Sequence, residues 1–258
     1  MVKNWDEGYV QELQKRIDSE IGEIFKDPYT VSYTQNSEEI ENLNVGNFRM
    51  GTGTIMFAGI QNYPEGTLKN SFITLNFILQ QIMQIIKEWG GIFQAHSINT
   101  VMGSFIEPLE VDKLVMNTLG TAMTVCFVLE QYINPVFQKK FSTRLTFSMG
   151  MDLGEVLLGQ IGLPKRGFLS SFGLPASIAP ELQRLARSNQ ILIGDQLYQN
   201  LPEEWKGYCS PLPFDSGWRY RYRDSGVKYP YYKYAGRWTS LGQSILISSL
   251  EAEAGKDV

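Results

Sequence analysis

The chain has 258 residues, 43% of them hydrophobic and 19% charged, with a formal net charge of −4. That composition excludes a disordered or fibrous protein and allows one buried core of ordinary size with appendages. The acidic balance gives the whole molecule no attraction for nucleic acid or anionic lipid. One histidine, His96, and two distant cysteines, Cys126 and Cys209, argue against a metal site and for reduced, buried thiols.

In chain order, the N-terminal MVKNWDEGYVQEL lacks the apolar core of a signal peptide. Residues 8–26 place Val10, Leu13, Ile17, Ile21 and Ile24 three and four apart, an apolar stripe on a helix that Asp27-Pro28 ends. The stripe is too short to hold a coiled coil alone. A polar connector over 35–47 leads to a strand at 53–60, a helix at about 70–88 closing on Gly90-Gly91, and strands at 92–97 and 101–106 turning near Asn99. A second helix is predicted from about 111 to 132, stopped by Asn134-Pro135. Asn117, Thr118, Thr121, Thr124 and Glu130 interrupt the stretch around it. It therefore lacks the run of about 20 apolar residues that spans a membrane, and a cytoplasmic protein is expected.

Strands at 142–150 and 154–161 are predicted to pair through a turn at 152–154. The order strand, helix, strand, strand, helix, strand is the ferredoxin-like βαββαβ arrangement of the α+β class. A helix at 175–187, a strand at 190–194 and a short helix near 195–200 complete the body. In the tail, WRYRYR over 218–223 alternates strictly before a turn at Asp224-Ser225-Gly226, which predicts a β-hairpin with an aromatic and a basic face. The expected division is an N-terminal helix and connector over 1–50, a body over 51–205, and a C-terminal hairpin and tail over 206–258.

Three stretches, TIMFAGIQNY (54–63), GGIFQAHSINTVMGSF (90–105) and FSMGMDLGEVLLGQIGLPKRGFLSSFGLPASIAPELQRL (147–185), resemble the catalytic domain of class III adenylate and guanylate cyclases. Gly91, Phe105, Gly150, Gly154, Gly159, Gly162, Gly173, Ala179 and Leu182 sit where that pattern expects them. The resemblance implies a head-to-tail dimer with active sites at the interface. One subunit would supply two aspartates holding magnesium, and the other an asparagine and an arginine that position the ribose and stabilise the α-phosphate. Here Gly59 and Asn99 align with the aspartates, Ser177 with the asparagine and Glu181 with the arginine. The base-reading lysine aligns with Ala95 and its partner with Ser170.

Glycine offers a metal no ligand atom, neutral asparagine is a poor substitute for a carboxylate, and Glu181 reverses the required charge. The resemblance therefore implies a catalytically inactive regulatory, scaffold or interaction subunit with no cofactor, working as a homodimer or with a heteromeric protein partner. Pairing with an active paralogue would inhibit it, because each shared site would lack one half. The alternatives are an active nucleotidyl cyclase, for purines or pyrimidines, with displaced residues, and a module binding a small ligand in the cleft near Gly59, Ala95, Asn99 and Ser170. Outside these positions, His96 reads as structural, Asp152 as a turn residue and Glu155 as solvent-exposed. Lys165 and Arg166 read as a solvated turn. Arg219, Arg221 and Arg223 share one strand face and form a candidate binding patch, with a protein or acidic ligand favoured over nucleic acid.

Overall fold

A computed structural model describes residues 48–63, 68–106, 109–163, 166–238 and 244–246, together with Lys15. The predicted N-terminal stripe at 10–24 lies outside the described residues. β1 (Phe48–Gln61) leads to α1 (Leu68–Glu88), the hairpin of β2 (Ile92–Ser97) and β3 (Thr100–Ile106), a second helical run, and β4 (Thr146–Leu163). These strands lie in the order β2-β3-β1-β4, each antiparallel to its neighbour, which is the expected ferredoxin-like core. β1 divides its residues by period two. Met56, Ala58 and Ile60 join the core with α1, and Ile55 and Phe57 join a smaller cluster with Met102, Val156 and Ala179.

The second helical run does not stop at Asn134-Pro135. α2 (Val111–Val128) passes through a π-helical turn, Leu129–Ile133, into α3 (Asn134–Phe141), which ends at Ser142 with φ 53°. Pro135 falls in the first turn of α3, where a missing N–H costs no ladder bond, and the widened turn before it relieves the ring. Asn134 is a staple: its Nδ2 donates to the Leu145 carbonyl at 3.0 Å and its Oδ1 accepts the Leu145 N–H at 2.8 Å. Together Val111–Phe141 is long and apolar enough to cross a membrane by composition, but more than half of its most apolar window is buried inside the fold. Packing against the sheet accounts for its hydropathy.

The predicted turn at 152–154 is also absent. β4 is one strand of 18 residues, and β5 (Arg166–Phe172) pairs antiparallel with its second half, from Leu157 to Leu163. Phe147, Met149, Met151 and Leu153 join the core with α1 and α2. The alternate positions Ser148, Gly150, Asp152 and Gly154 are small or polar, and Gly150 and Gly154 admit α4 (Leu174–Leu185) at close range. Gly154 is thus a packing glycine: a Cβ there would stand 3.0 Å from the Pro175 ring. Glu155 is exposed, as expected, whereas Asp152 is fully buried.

β6 (Gln190–Gly194) runs parallel to β4, followed by α5 (Asp195–Gln199) and α6 (Glu203–Lys206). The tail then enters the same sheet. β7 (Cys209–Pro211) and β8 (Tyr231–Tyr234) extend it in the order β6-β8-β7. The expected hairpin is correspondingly modified. Residues 223–225 form its turn, but the arms share a single bridge, Arg221 with Lys228, before β8 leaves to pair with β6. β9 (Gly236–Trp238) and β10 (Ser244–Leu246) form a separate pair, and Trp238 stacks on Trp89 at 6.5 Å.

Candidate functional site

The strand register brings Gly59 and Asn99 side by side. Gly59 pairs with Thr100, the Ile60 N–H donates to the Asn99 carbonyl at 2.9 Å, and Asn99 Nδ2 donates to the Ile60 carbonyl at 3.1 Å. Asn99 Oδ1 in turn accepts from the Ser97 hydroxyl at 3.1 Å, so its amide organises the β2–β3 turn. Gln183, from α4, rests against Gly59, where a Cβ would meet its amide nitrogen. That nitrogen donates to Ser148 Oγ at 2.7 Å.

These residues do not fit a divalent cation. Gly59 contributes no side-chain oxygen and the group beside it presents a hydrogen-bond donor, whereas Mg²⁺ is bound through carboxylates and other hard oxygen ligands. Among the described residues no cluster of three or more His, Cys, Asp or Glu forms a metal site.

Ser177 and Glu181 lie one turn apart on α4. Ser177 is exposed, and its backbone carbonyl accepts the Tyr220 hydroxyl at 2.7 Å. Arg184 grips Glu181 with two hydrogen bonds, Nη2 to Oε1 at 2.7 Å and Nε to Oε2 at 3.0 Å. That grip, more than the nearby Arg219, holds the Glu181 carboxyl below its usual range. A carboxylate stands at this position and the adjacent arginine is engaged in neutralising it.

Ala95 pairs with Val101 on β2, and His96 follows on the same strand; their side chains lie outside the described residues, as does Lys165. Ser170, on β5, lines a cleft of about 500 Å³ whose floor includes Phe57 of β1 and Met102 of β3. Phe93 and Gln94 of β2 contribute one side, and Phe168, Leu169 and Ser171 of β5, with Ala176 of α4, contribute the other. None of these lining residues carries a charge. The Ser104 and Ser171 hydroxyls lie 3.0 Å apart and tie β3 to β5.

The tail keeps the predicted division of faces. Arg219, Arg221 and Arg223 are exposed, Trp218 is buried and Tyr220 and Tyr222 are half-buried. Arg221 Nη1 donates to the Gly226 carbonyl at 2.9 Å, bracing the turn it helps to form. The aromatic side holds the tail to the body through groups that sequence reasoning missed. Tyr229 donates to the buried Asp152 carboxylate at 2.9 Å and itself accepts the Gln196 N–H at 2.8 Å. Tyr222 and Tyr232 both donate to Asp195, the latter at 2.8 Å. Desolvation pushes the Asp152 carboxyl up to about 7, opposed by hydrogen bonds from the Leu153 backbone, Tyr229 and the Leu197 backbone and reinforced by the Asp195 charge. The unbroken alternation through 147–153 is the signal that could have moved Asp152 from a turn onto a strand.

The family model of the adenylate and guanylate cyclase catalytic domain matches residues 47–210. The chain belongs to this family. No curated protein matches it by sequence. Among solved structures, the adenylyl cyclase CyaB from P. aeruginosa superposes with a TM-score of 0.59 at 16% identity, covering 72% of this chain and 95% of that one. A dimeric guanylyl cyclase domain of the RhoGC fusion protein from the aquatic fungus Blastocladiella emersonii gives 0.55 at 18% identity, covering 72% and 97%. A class III adenylyl cyclase-like ATP-binding protein from Pseudomonas aeruginosa gives 0.61 at 14% identity, covering 74% of this chain and 45% of that one. At these identities the likeness is one of fold, and it agrees with the α+β sheet of this cyclase domain. The Asp152–Tyr229 contact joins the matched region to the tail beyond it.

Proposed function

We propose that this cyclase-homology protein is non-catalytic and acts as a regulatory or scaffold subunit through assembly with a protein partner. The observation that carries this reading is the Gln183 amide lying against Gly59, where the family's chemistry needs a metal-binding carboxylate. Magnesium would have to neutralise a triphosphate and activate a hydroxyl there, and the residues present supply a donor in place of anionic oxygen. The opposite half of the site points the same way. Glu181 would repel the charge that accumulates on phosphorus oxygens in the transition state, and Arg184 is drawn onto Glu181.

The expected result is that purified protein, given each of the four ribonucleoside triphosphates with Mg²⁺ or Mn²⁺, forms no cyclic nucleotide. Product that rises in proportion to added protein and disappears on boiling would sink the reading.

The surface around the cleft supports assembly with a second copy. Phe93, Ile161, Phe168, Phe172 and Leu174 are exposed on β2, the β4–β5 arm and the first turn of α4, and Phe168 is 60% exposed. Apolar side chains concentrated in this way mark contact surfaces, and two-fold closure is the commonest way for one chain to cover them. Light scattering at micromolar concentration is expected to report a homodimer, and Phe168→Glu to return it to monomer. A wild-type mass that stays monomeric over a wide concentration range excludes the homodimer.

A further inference from the structure

We infer that segment 10–24 of this chain docks its apolar stripe on the exposed apolar half of α1, within the same molecule. The contact lies away from the cyclase-aligned positions, so formation of a cyclic nucleotide would sink the non-catalytic reading and leave this docking standing.

The outward face of α1 changes character along its length. Phe72, Ile73 and Phe77 are 62%, 55% and 46% exposed, and Asn76 is the one polar residue exposed among them. The outward positions that follow are Gln80, Gln84, Lys87 and Glu88. The inward positions Ile78, Leu79, Ile82 and Ile86 already anchor the helix in the main core, so the outward aromatics add nothing to its seating. Large apolar side chains gathered over two turns form an unpaired face that a neighbour would cover.

The topology argues against a second copy as that neighbour. α1 shares its core with Met56, Ala58 and Ile60, whereas Ala179 of α4 packs with Ile55 and Phe57 on the other side of β1. The apolar surface of β5 and α4 proposed for the dimer therefore lies across the sheet from α1. A two-fold contact that closes one of these faces leaves the other open, and a second such contact would extend the dimer into larger assemblies.

The chain before β1 carries a surface that fits. Val10, Leu13, Ile17, Ile21 and Ile24 fall within about 80° of arc on a helix that turns about 100° per residue. Lys15 is helical and exposed, and the same spacing puts it on the side opposite the stripe. α1 carries no charge between Lys69 and Lys87, so Asp18 and Glu20, which flank the stripe, meet no like charge there. Reach is ample. The 23 residues between Ile24 and Phe48 extend to about 80 Å, against about 45 Å for the whole of β1. A tether of this kind holds the stripe at an effective concentration of about 1 mM, which at micromolar protein favours the same chain over another copy about a thousandfold.

The test uses the full chain with a cysteine at one of two exposed positions of α1. Asn76→Cys reports the apolar half without removing any of its large side chains, and Gln84→Cys reports the polar half. Cys126 is buried, and Cys209 is common to both proteins. Maleimide labelling of Asn76→Cys, followed by peptide mass, is expected to be at least about tenfold slower than that of Gln84→Cys. The rate should be the same at low and high micromolar protein. Adding Ile17→Asp and Ile21→Asp, which lie outside the folded body, should bring it up to the Gln84→Cys rate. The reverse readout is trypsin cleavage after Lys15 and Arg16, which Phe72→Ser with Phe77→Ser should hasten about tenfold by removing the face the stripe rests on.

Docking in the same chain is refuted if Asn76→Cys labels as fast as Gln84→Cys, since the face is then bare. It is refuted equally if protection survives Ile17→Asp and Ile21→Asp, or if trypsin ignores the α1 substitutions, since something other than the stripe is then the cover. Protection that appears only as protein concentration rises assigns the face to a second copy and also overturns it.

Discussion

Replacing Gly150 by alanine is expected to cost about 3 kcal/mol or more and to lower the thermal midpoint by about 6–12 °C. The added methyl would fall on the Ala179 carbonyl oxygen and the Gln183 amide nitrogen, with the Leu182 carbonyl carbon only 2.8 Å away. All three are backbone atoms of α4, so the helix must move bodily. Such a shift also disturbs the Gln183–Ser148 bond beside Gly59 and the seating of Ile178 and Leu182 under the tail. Gly207→Ala is the matched control, because its methyl would meet the Glu204 carbonyl at an ordinary 3.5 Å. It should leave the midpoint unchanged or slightly raised, since alanine restricts the unfolded chain. A Gly150→Ala protein as stable as its control would mean that α4 does not pack on β4 at this distance.

Stability is expected to fall as pH rises from about 4 to about 7, by a few kcal/mol, with Asp152 as the source. Its folded pKa of about 7 lies above the ordinary value of 3.8, so in that interval the native state holds a proton that the unfolded state releases. The contribution is complete below about 4 and gone above about 7. The neighbouring Asp195 charge and the tyrosine hydroxyls of Tyr222, Tyr229 and Tyr232 are the polar groups gathered at this junction. Asp152→Asn keeps the size and removes the titration. Urea unfolding at several pH values should then give a wild-type-minus-variant difference that declines across the interval. A constant difference would place the titration elsewhere. The protection factor of the Tyr229 amide, whose N–H donates to the Tyr220 carbonyl, taken against its pH-dependent intrinsic exchange rate, should fall in parallel at higher pH if the tail loosens.

What the sequence made legible follows from which interactions are local. The ferredoxin-like order was readable because the centre of β1 and all of β3 are continuous buried runs and α1 is followed by Gly90-Gly91, where Gly90 adopts φ 79°. The errors fell where a residue type with a strong local habit serves a distant partner. Asn134-Pro135 looked like a stop, yet the asparagine reaches Leu145 and the proline sits in the first turn of a new helix. Asp152 and Gly154 looked like a turn, yet one receives Tyr229, 77 residues away, and the other admits Pro175. The positions aligned with the cyclase site could be named from motif spacing, and β1–β3 pairing puts Gly59 beside Asn99. That Gln183 would lie on Gly59 has no sequence signature, because it depends on how closely α4 approaches the sheet.

The strand order at the far edge of the sheet has a consequence for the nascent chain. β7 leaves the ribosome before β8, yet β8 is the strand that lies between it and β6. Until Tyr231–Tyr234 has emerged, β7 has no neighbour to pair with, and β6 presents an open edge of backbone donors and acceptors. The family-matched portion, ending at residue 210, can therefore be fully synthesised while its sheet is still unfinished. Chains stalled or cleaved between 211 and 230 would expose a pairing edge, and holdase chaperones or aggregation would compete for it before the last strand arrives.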